Sequence, residues 1–203
     1  MVSVYNIKPK FQNILRPLTN LLASGGVSAN QVTISAFVLS VLTGALIYRF
    51  FAWTKLILLV LPVMLFIRMA LNAIDGMLAR EHNQKSRPGA ILNELGDMLS
   101  DAVIYAPFLI ALGVNIWCTL LVITLAVASE AVGIMGVQIG ASRRYDGPMG
   151  KSDRAFWFSL IAIISVFHLF APRVYDVIFY IIAALLIYTI FNRARRAVAE
   201  EVK

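Results

Sequence analysis

A succession of apolar stretches, each close to the length of a bilayer crossing, constrains this chain more than any other feature. Six of them, at roughly 30–51, 55–79, 90–112, 115–140, 154–171 and 174–192, approach the roughly 20 mainly apolar residues that span a hydrocarbon core as a helix. Lipid offers no partner to backbone N–H and C=O groups, so such stretches must satisfy themselves as helices. Composition agrees: 60% of the residues are apolar and 14% charged, against about 45–50% and about 25% in ordinary soluble domains. A soluble enzyme, a disordered chain and a secreted disulfide scaffold are all excluded. The single cysteine, Cys118, has no intrachain partner.

The amino-terminal stretch is neither a signal peptide nor a seventh span. Lys8, Pro9, Lys10, Arg16 and Pro17 interrupt any apolar run there. Val4, Ile7, Phe11, Ile14, Leu15, Leu18, Leu21 and Leu22 recur instead at helical spacing, which predicts an amphipathic interfacial helix over 4–24. Gly25-Gly26 ends it, and Ser28 or Asn30 caps the helix that follows. The expected architecture is therefore an all-α polytopic membrane protein forming one domain over 1–203. It comprises the surface helix, a six-span bundle over 30–192 and a cytoplasmic tail over 193–203. Trp53 and Tyr48 fit an interfacial belt; His82 reads as a loop histidine and His168 as an interfacial one.

Charge sets the sidedness. Six spans place the amino-terminal helix, the 80–89 and 141–154 connections and the tail on one side, and 14 of the 18 Lys and Arg residues fall there. Arg49, Lys55 and Arg173 fall on the other side, and Arg68 lies inside a span. The positive-inside bias puts both termini in the cytoplasm of a bacterial inner membrane. The net charge of +7 is explained by topology and anionic membrane lipids, so nucleic-acid binding has no place.

A carboxylate inside a span is costly and marks function by default. Spans two and three hold Asp75, Glu94, Asp97 and Asp101. Arg68, Asn72, Asp75 and Ala79 share one face of span two, and Asn93, Asp97 and Asp101 share one face of span three. A short cytoplasmic turn joins these spans, so the two polar faces meet near the cytoplasmic surface. Carboxylates converging from two helices suit Mg²⁺ or Mn²⁺. Arg68 and Glu130 are further ionisable residues within spans, available to pair with each other or to line an acceptor site.

The segment Asn72-Ala-Ile-Asp75-Gly76-Met-Leu-Ala79-Arg80, followed after eight residues by Gly89-Ala-Ile-Leu-Asn93-Glu-Leu-Gly-Asp97, resembles the signature of CDP-alcohol phosphatidyltransferases, D-x2-D-G-x2-A-R-x8-G-x3-D-x3-D. All spacings are kept, and Asp75, Gly76, Ala79, Arg80, Gly89 and Asp97 match. The resemblance implies transfer of a phosphatidyl group from CDP-diacylglycerol to a small polar alcohol, assisted by Mg²⁺ or Mn²⁺, with release of CMP. It also implies a homodimer. Carried over residue by residue, Asp75 ligates metal, while Asp97 ligates metal and accepts the acceptor's proton. Asn72, Gly76, Ala79, Arg80 and Gly89 bind the cytidine nucleotide. On the same side, Arg143, Arg144, Lys151 and Arg154 in a Gly-rich connection are candidates for binding the acceptor, or else simply set topology.

Asn72 and Asn93 stand where the family has aspartates. An amide oxygen still reaches a cation but brings no charge, so Glu94 and Asp101 are candidate compensating ligands. Three readings follow: an active enzyme with altered metal ligation, a catalytically weak paralogue that binds CDP-lipid or nucleotide, or an inactivated variant.

Overall fold

The computed structural model describes residues 8–167 and 169–200. The first residues of the expected surface helix, His168 and the last three residues lie outside them. Among the described residues seven α-helices follow one another: α1 (Lys8–Ser24), α2 (Ala29–Phe50), α3 (Val60–Glu81), α4 (Arg87–Ala111), α5 (Ile116–Met135), α6 (Lys151–Ser165) and α7 (Pro172–Ala199). Short 3-10 turns at Lys55–Leu59 and Gly136–Ile139 extend α3 backward and α5 forward.

Local chemistry sets these boundaries. Ser28 caps α2 in a reciprocal capping box with Gln31, which satisfies two donors that the first helical turn leaves orphaned. Ser86 caps α4 with Pro88 in the first turn, and Asn115 caps α5. Three ends differ from the sequence expectation. The fifth stretch stops at Ser165 rather than near 171. The fourth changes to a 3-10 turn after Met135. The last helix runs on to Ala199, so most of the expected tail is helical.

Among the described residues four helical segments are long and apolar enough to cross a membrane: Ala29–Phe50, Lys55–Glu81, Ile116–Ile139 and Pro172–Ala199. The other two expected spans are not of that kind. α4 has the length, with 25 residues, but Glu94, Asp97 and Asp101 break its apolar character. α6 has 15 residues, about 22 Å at 1.5 Å per residue, short of a hydrocarbon core of about 30 Å.

α2 packs on α4 and α3, α5 on α7 and α4, α6 on α3, and α1 on α3. The α2–α4 crossing is close for an identifiable reason. Pro107 lies inside α4 and has no N–H to give the Val103 carbonyl one turn earlier. Gly44 of α2 sits against that carbonyl, where an added Cβ would fall 2.1 Å from Val103 O. The central core is aromatic, with Phe108, Phe158 and Phe179 fully buried and Tyr105 edge-on to Phe158, ring centroids 4.4 Å apart. α1 lies against α3 through Phe11 on Phe66 and a two-pronged Arg16–Glu81 pair. Leu15 and Leu22 pack inward while Ile14 and Leu21 are exposed.

Candidate active site

The polar faces of α3 and α4 do meet. A five-residue connection, 82–86, joins these helices, and Gln84 ties it down by accepting from Ala29 N at 2.6 Å and donating to Val27 O at 3.3 Å. The α3–α4 hairpin is thereby fixed to the start of α2. Gly89 seals the same junction: a Cβ there would lie 2.5 Å from Asn30 Oδ1 and 2.7 Å from Ser86 Oγ.

Asp75 is buried. Its Oδ2 accepts from the Thr33 hydroxyl of α2 at 2.8 Å and from Asn93 Nδ2 of α4 at 3.2 Å. Its Oδ1 is buried without a hydrogen-bond partner among the described residues, which is costly for a carboxylate oxygen unless a ligand completes it. Asp97 Oδ1 accepts from Asn72 Nδ2 at 3.0 Å and from Lys151 Nζ at 2.5 Å. Each signature asparagine therefore donates across the interface to the carboxylate on the opposite helix. Two aspartates at those positions would repel the acids they now hold.

The remaining expected acids are engaged elsewhere. Asp101, a candidate compensating ligand, has Oδ1 bonded by Arg68 at 2.6 Å and Oδ2 by Arg154 at 2.7 Å. Glu94, the other candidate, turns off the Asn93–Asp97 face to pair with Arg143 of the 141–150 connection. Among the described residues no three His, Cys, Asp or Glu side chains converge as a metal cage. What converges is two carboxylates and two amides.

The basic residues divide likewise. Arg154 is fully buried, holding Asp101, Glu130 at 3.1 Å, the Ser129 hydroxyl at 3.2 Å and Met149 O at 3.1 Å. Arg193 is also buried and bonds Ser129 O at 2.5 Å and Asp146 O at 3.1 Å, with Glu130 at 3.4 Å. These two of the expected topology cations are core residues. Arg68 and Glu130 do not pair with each other; Asp101 and Arg154 stand between them. Arg144 bridges Asp146 at 2.7 Å and Glu200 at 2.5 Å, pinning the connection to the end of α7. The Ser142 backbone N–H and hydroxyl, with Arg144, hold the Glu200 carboxyl below its ordinary range. Arg80 is exposed, and its guanidinium lies beside Gly76, where a Cβ would meet only that flexible tip at 3.2 Å.

Sequence reasoning missed Thr33, Gln84, Ser129 and Arg193. Thr33 reaches Asp75 from α2, and Gln84 ties the 82–86 connection to the start of α2; no spacing within α3 or α4 signals them. Arg193 read as tail because apolar patterning ends before it.

The family model for CDP-alcohol phosphatidyltransferases matches residues 27–191. The inner membrane protein YnbA of Escherichia coli is 42% identical over 194 residues, 96% of this chain and 96% of that protein. An archaetidylinositol phosphate synthase of Pyrococcus horikoshii is 36% identical over 107 residues, 53% of each. Among solved structures, the phosphatidylinositol phosphate synthase PgsA1 of Mycobacterium tuberculosis with CDP-DAG bound has a TM-score of 0.74 at 20% identity, over 91% of this chain and 94% of that one. The same protein in complex with manganese and citrate gives 0.72 at 20% identity, over 89% and 87%. At that identity the likeness is one of fold.

Proposed function

This chain belongs to the CDP-alcohol phosphatidyltransferase family and is an integral membrane protein, and on that premise we propose that it transfers a phosphatidyl group from CDP-diacylglycerol to a small polar alcohol. The observation that carries this reading is the meeting of Asp75 and Asp97 across α3 and α4, with one Asp75 oxygen buried and without a hydrogen-bond partner among the described residues. An oxygen donor in that condition fits a hard divalent cation. Asp75, with Asp97 and the amide oxygens of Asn72 and Asn93, would hold one Mg²⁺ or Mn²⁺. When bound, such an ion neutralises pyrophosphate charge and sharpens the electrophilicity of phosphorus. Glu94 and Asp101 are left out of the ligand set, because guanidinium groups already occupy them.

On this reading Gly76 and Ala79 leave room for the cytidine beside Asn72, and Arg80 meets the pyrophosphate. Gly89 keeps the head of α4 close to that site. The alcohol oxygen attacks the lipid-bearing phosphorus, its proton passes to Asp97, and the bond to the CMP oxygen breaks. Arg143, Arg144 and Lys151 bound the acceptor side, and Arg154 positions Asp101 beneath it. On this reading the bundle crosses the membrane six times, α4 and α6 facing lipid through exposed apolar side chains such as Leu95, Leu99, Phe156 and Ile163, with α1 at the interface. On the same reading the active site and both termini face the cytoplasm, which the distribution of Lys and Arg supports.

A second reading, a CDP-lipid binder without turnover, is favoured by the Lys151 ammonium and Asn72 amide that already occupy Asp97. CMP release from CDP-diacylglycerol with Mg²⁺ or Mn²⁺, measured over a panel of alcohols, separates the two. Transfer predicts alcohol-dependent CMP release that Asp75→Asn abolishes. Binding alone predicts CDP-lipid affinity and no CMP from any alcohol.

A further inference from the structure

We propose that the acceptor is an alcohol carrying no phosphate, and that Glu94 is the residue that excludes phosphorylated acceptors. The inference rests on the transferase reading above.

A phosphomonoester brings roughly −1.5 to −2 charges near neutral pH, and its recognition takes Arg or Lys free to form charge-assisted hydrogen bonds. The 141–150 connection and the start of α6 carry four cations, and each already faces a carboxylate of this chain. Arg144 is held between Asp146 and Glu200. Arg154 is fully buried against Asp101 and Glu130. Lys151 sits on Asp97 at 2.5 Å. Arg143 is bonded to Glu94 and lies over the Tyr145 ring at 4.9 Å from its centroid, so it is held from two sides.

The Glu94–Arg143 and Asp97–Lys151 pairs are the accessible ones. Their side chains are 25%, 28%, 19% and 31% exposed respectively, whereas Arg154 is inaccessible. A phosphate arriving there would have to displace Glu94 from Arg143 and then lie against two carboxylates. Like-charge juxtaposition of that kind is what electrostatic specificity uses to reject a partner. A hydroxyl has no such conflict, since it accepts from Arg143 or Lys151 and donates to Glu94 or Asp97. An amino alcohol's ammonium is equally compatible. Glu94 is placed for this by its position one residue off the metal-facing stripe of α4, about 100° around the helix from Asn93, which turns it toward the connection.

The full-length protein in lipid nanodiscs is assayed in two arms. The first measures CMP release from CDP-diacylglycerol with glycerol, inositol and ethanolamine against the phosphate esters of the same alcohols. The expected result is a kcat/KM for an unphosphorylated alcohol at least about tenfold above that for its ester. The second arm measures binding of inorganic phosphate by calorimetry, independent of turnover. The parent protein is expected not to bind it, and Glu94→Gln, which removes the negative charge facing Arg143, is expected to bind phosphate and to gain at least about tenfold in use of the esters. A parent protein that prefers a phosphate ester, or that binds phosphate saturably, overturns the proposal. So does a folded Glu94→Gln variant that gains no phosphate affinity. Absence of CMP release with every alcohol defeats the transferase reading instead, and the phosphate arm still decides the role of Glu94.

Discussion

Arg154→Met isolates the buried charge network. Arg154 is completely inaccessible, with Asp101 at 2.7 Å and Glu130 at 3.1 Å on one guanidinium nitrogen. At an effective dielectric of about 20, the shorter pair alone has a gross attraction of about 6 kcal/mol. Desolvation offsets much of this when the pair forms, so the intact pair is no measure of net stability. Removing one partner is different, because Asp101 and Glu130 stay buried with too little positive charge. The expected loss is about 3–5 kcal/mol, read as a shift in reversible unfolding in mixed detergent micelles. Arg154→Lys keeps the charge but cannot reproduce the fork geometry of guanidinium, and is expected to fall between parent and Met. The double change Asp101→Asn with Arg154→Met is expected to cost less than the sum of its parts, since the orphaned charge is gone. A loss for Arg154→Met below about 1 kcal/mol, the range of an exposed pair, would refute the buried network and return Arg154 to a topology cation.

Three further outcomes are expected. Asn72→Asp with Asn93→Asp replaces two donors by two negative charges, so Mn²⁺ affinity measured by calorimetry should rise; an unchanged affinity would remove these positions from the metal site. Gly44→Ala should destabilise the bundle by about 1–3 kcal/mol, since its Cβ would lie 2.1 Å from a backbone oxygen; unfolding that matches the parent would refute the close α2–α4 crossing. Glu200 is held below its ordinary range by Ser142, so its anchoring of the 141–150 connection is complete above the usual glutamate value of about 4.3 and lost as pH falls through the lower folded value. Proteolytic cutting within 141–150 should therefore stay constant from neutral pH down to about 5 and increase only under stronger acid; an increase already at pH 6 would assign the anchoring to another group.

The sequence carried the parts of this fold that repeat with helical period and the parts that are chemically costly. Asp75 and Asp97 could be found because a carboxylate in an apolar run is conspicuous, and their stripes on α3 and α4 follow from steps of three and four. The partners of those stripes were harder to see. Asp101 lies in register with Asp97 and looks like a ligand, yet one turn deeper it meets Arg68 and Arg154 from α3 and α6, contacts on which periodicity within α4 is silent. Arg154 and Arg193 flank apolar stretches as topology cations do, and only tertiary packing reveals that they are the innermost charges. The α6 boundary was overestimated because apolar residues continue past Ser165 without continuing the helix.

A cluster built from carboxylates alone needs a cation to hold its helices together, because the acids repel one another. Here Asn72 donates to Asp97 and Asn93 donates to Asp75, so amide hydrogen bonds close the α3–α4 interface from both directions. Below it, Arg68 and Arg154 clamp Asp101, and Glu130 carries the chain of charges on to Arg193 and the 141–150 connection. Interhelical cohesion is thereby moved away from the site and into a buried lattice spanning α3 to α7. Among the described residues Asp75 Oδ1 is left buried without a hydrogen-bond partner. Asparagine at two signature positions is therefore compatible with an ordered site, since the amides hold the two helices together through hydrogen bonds to the facing carboxylates.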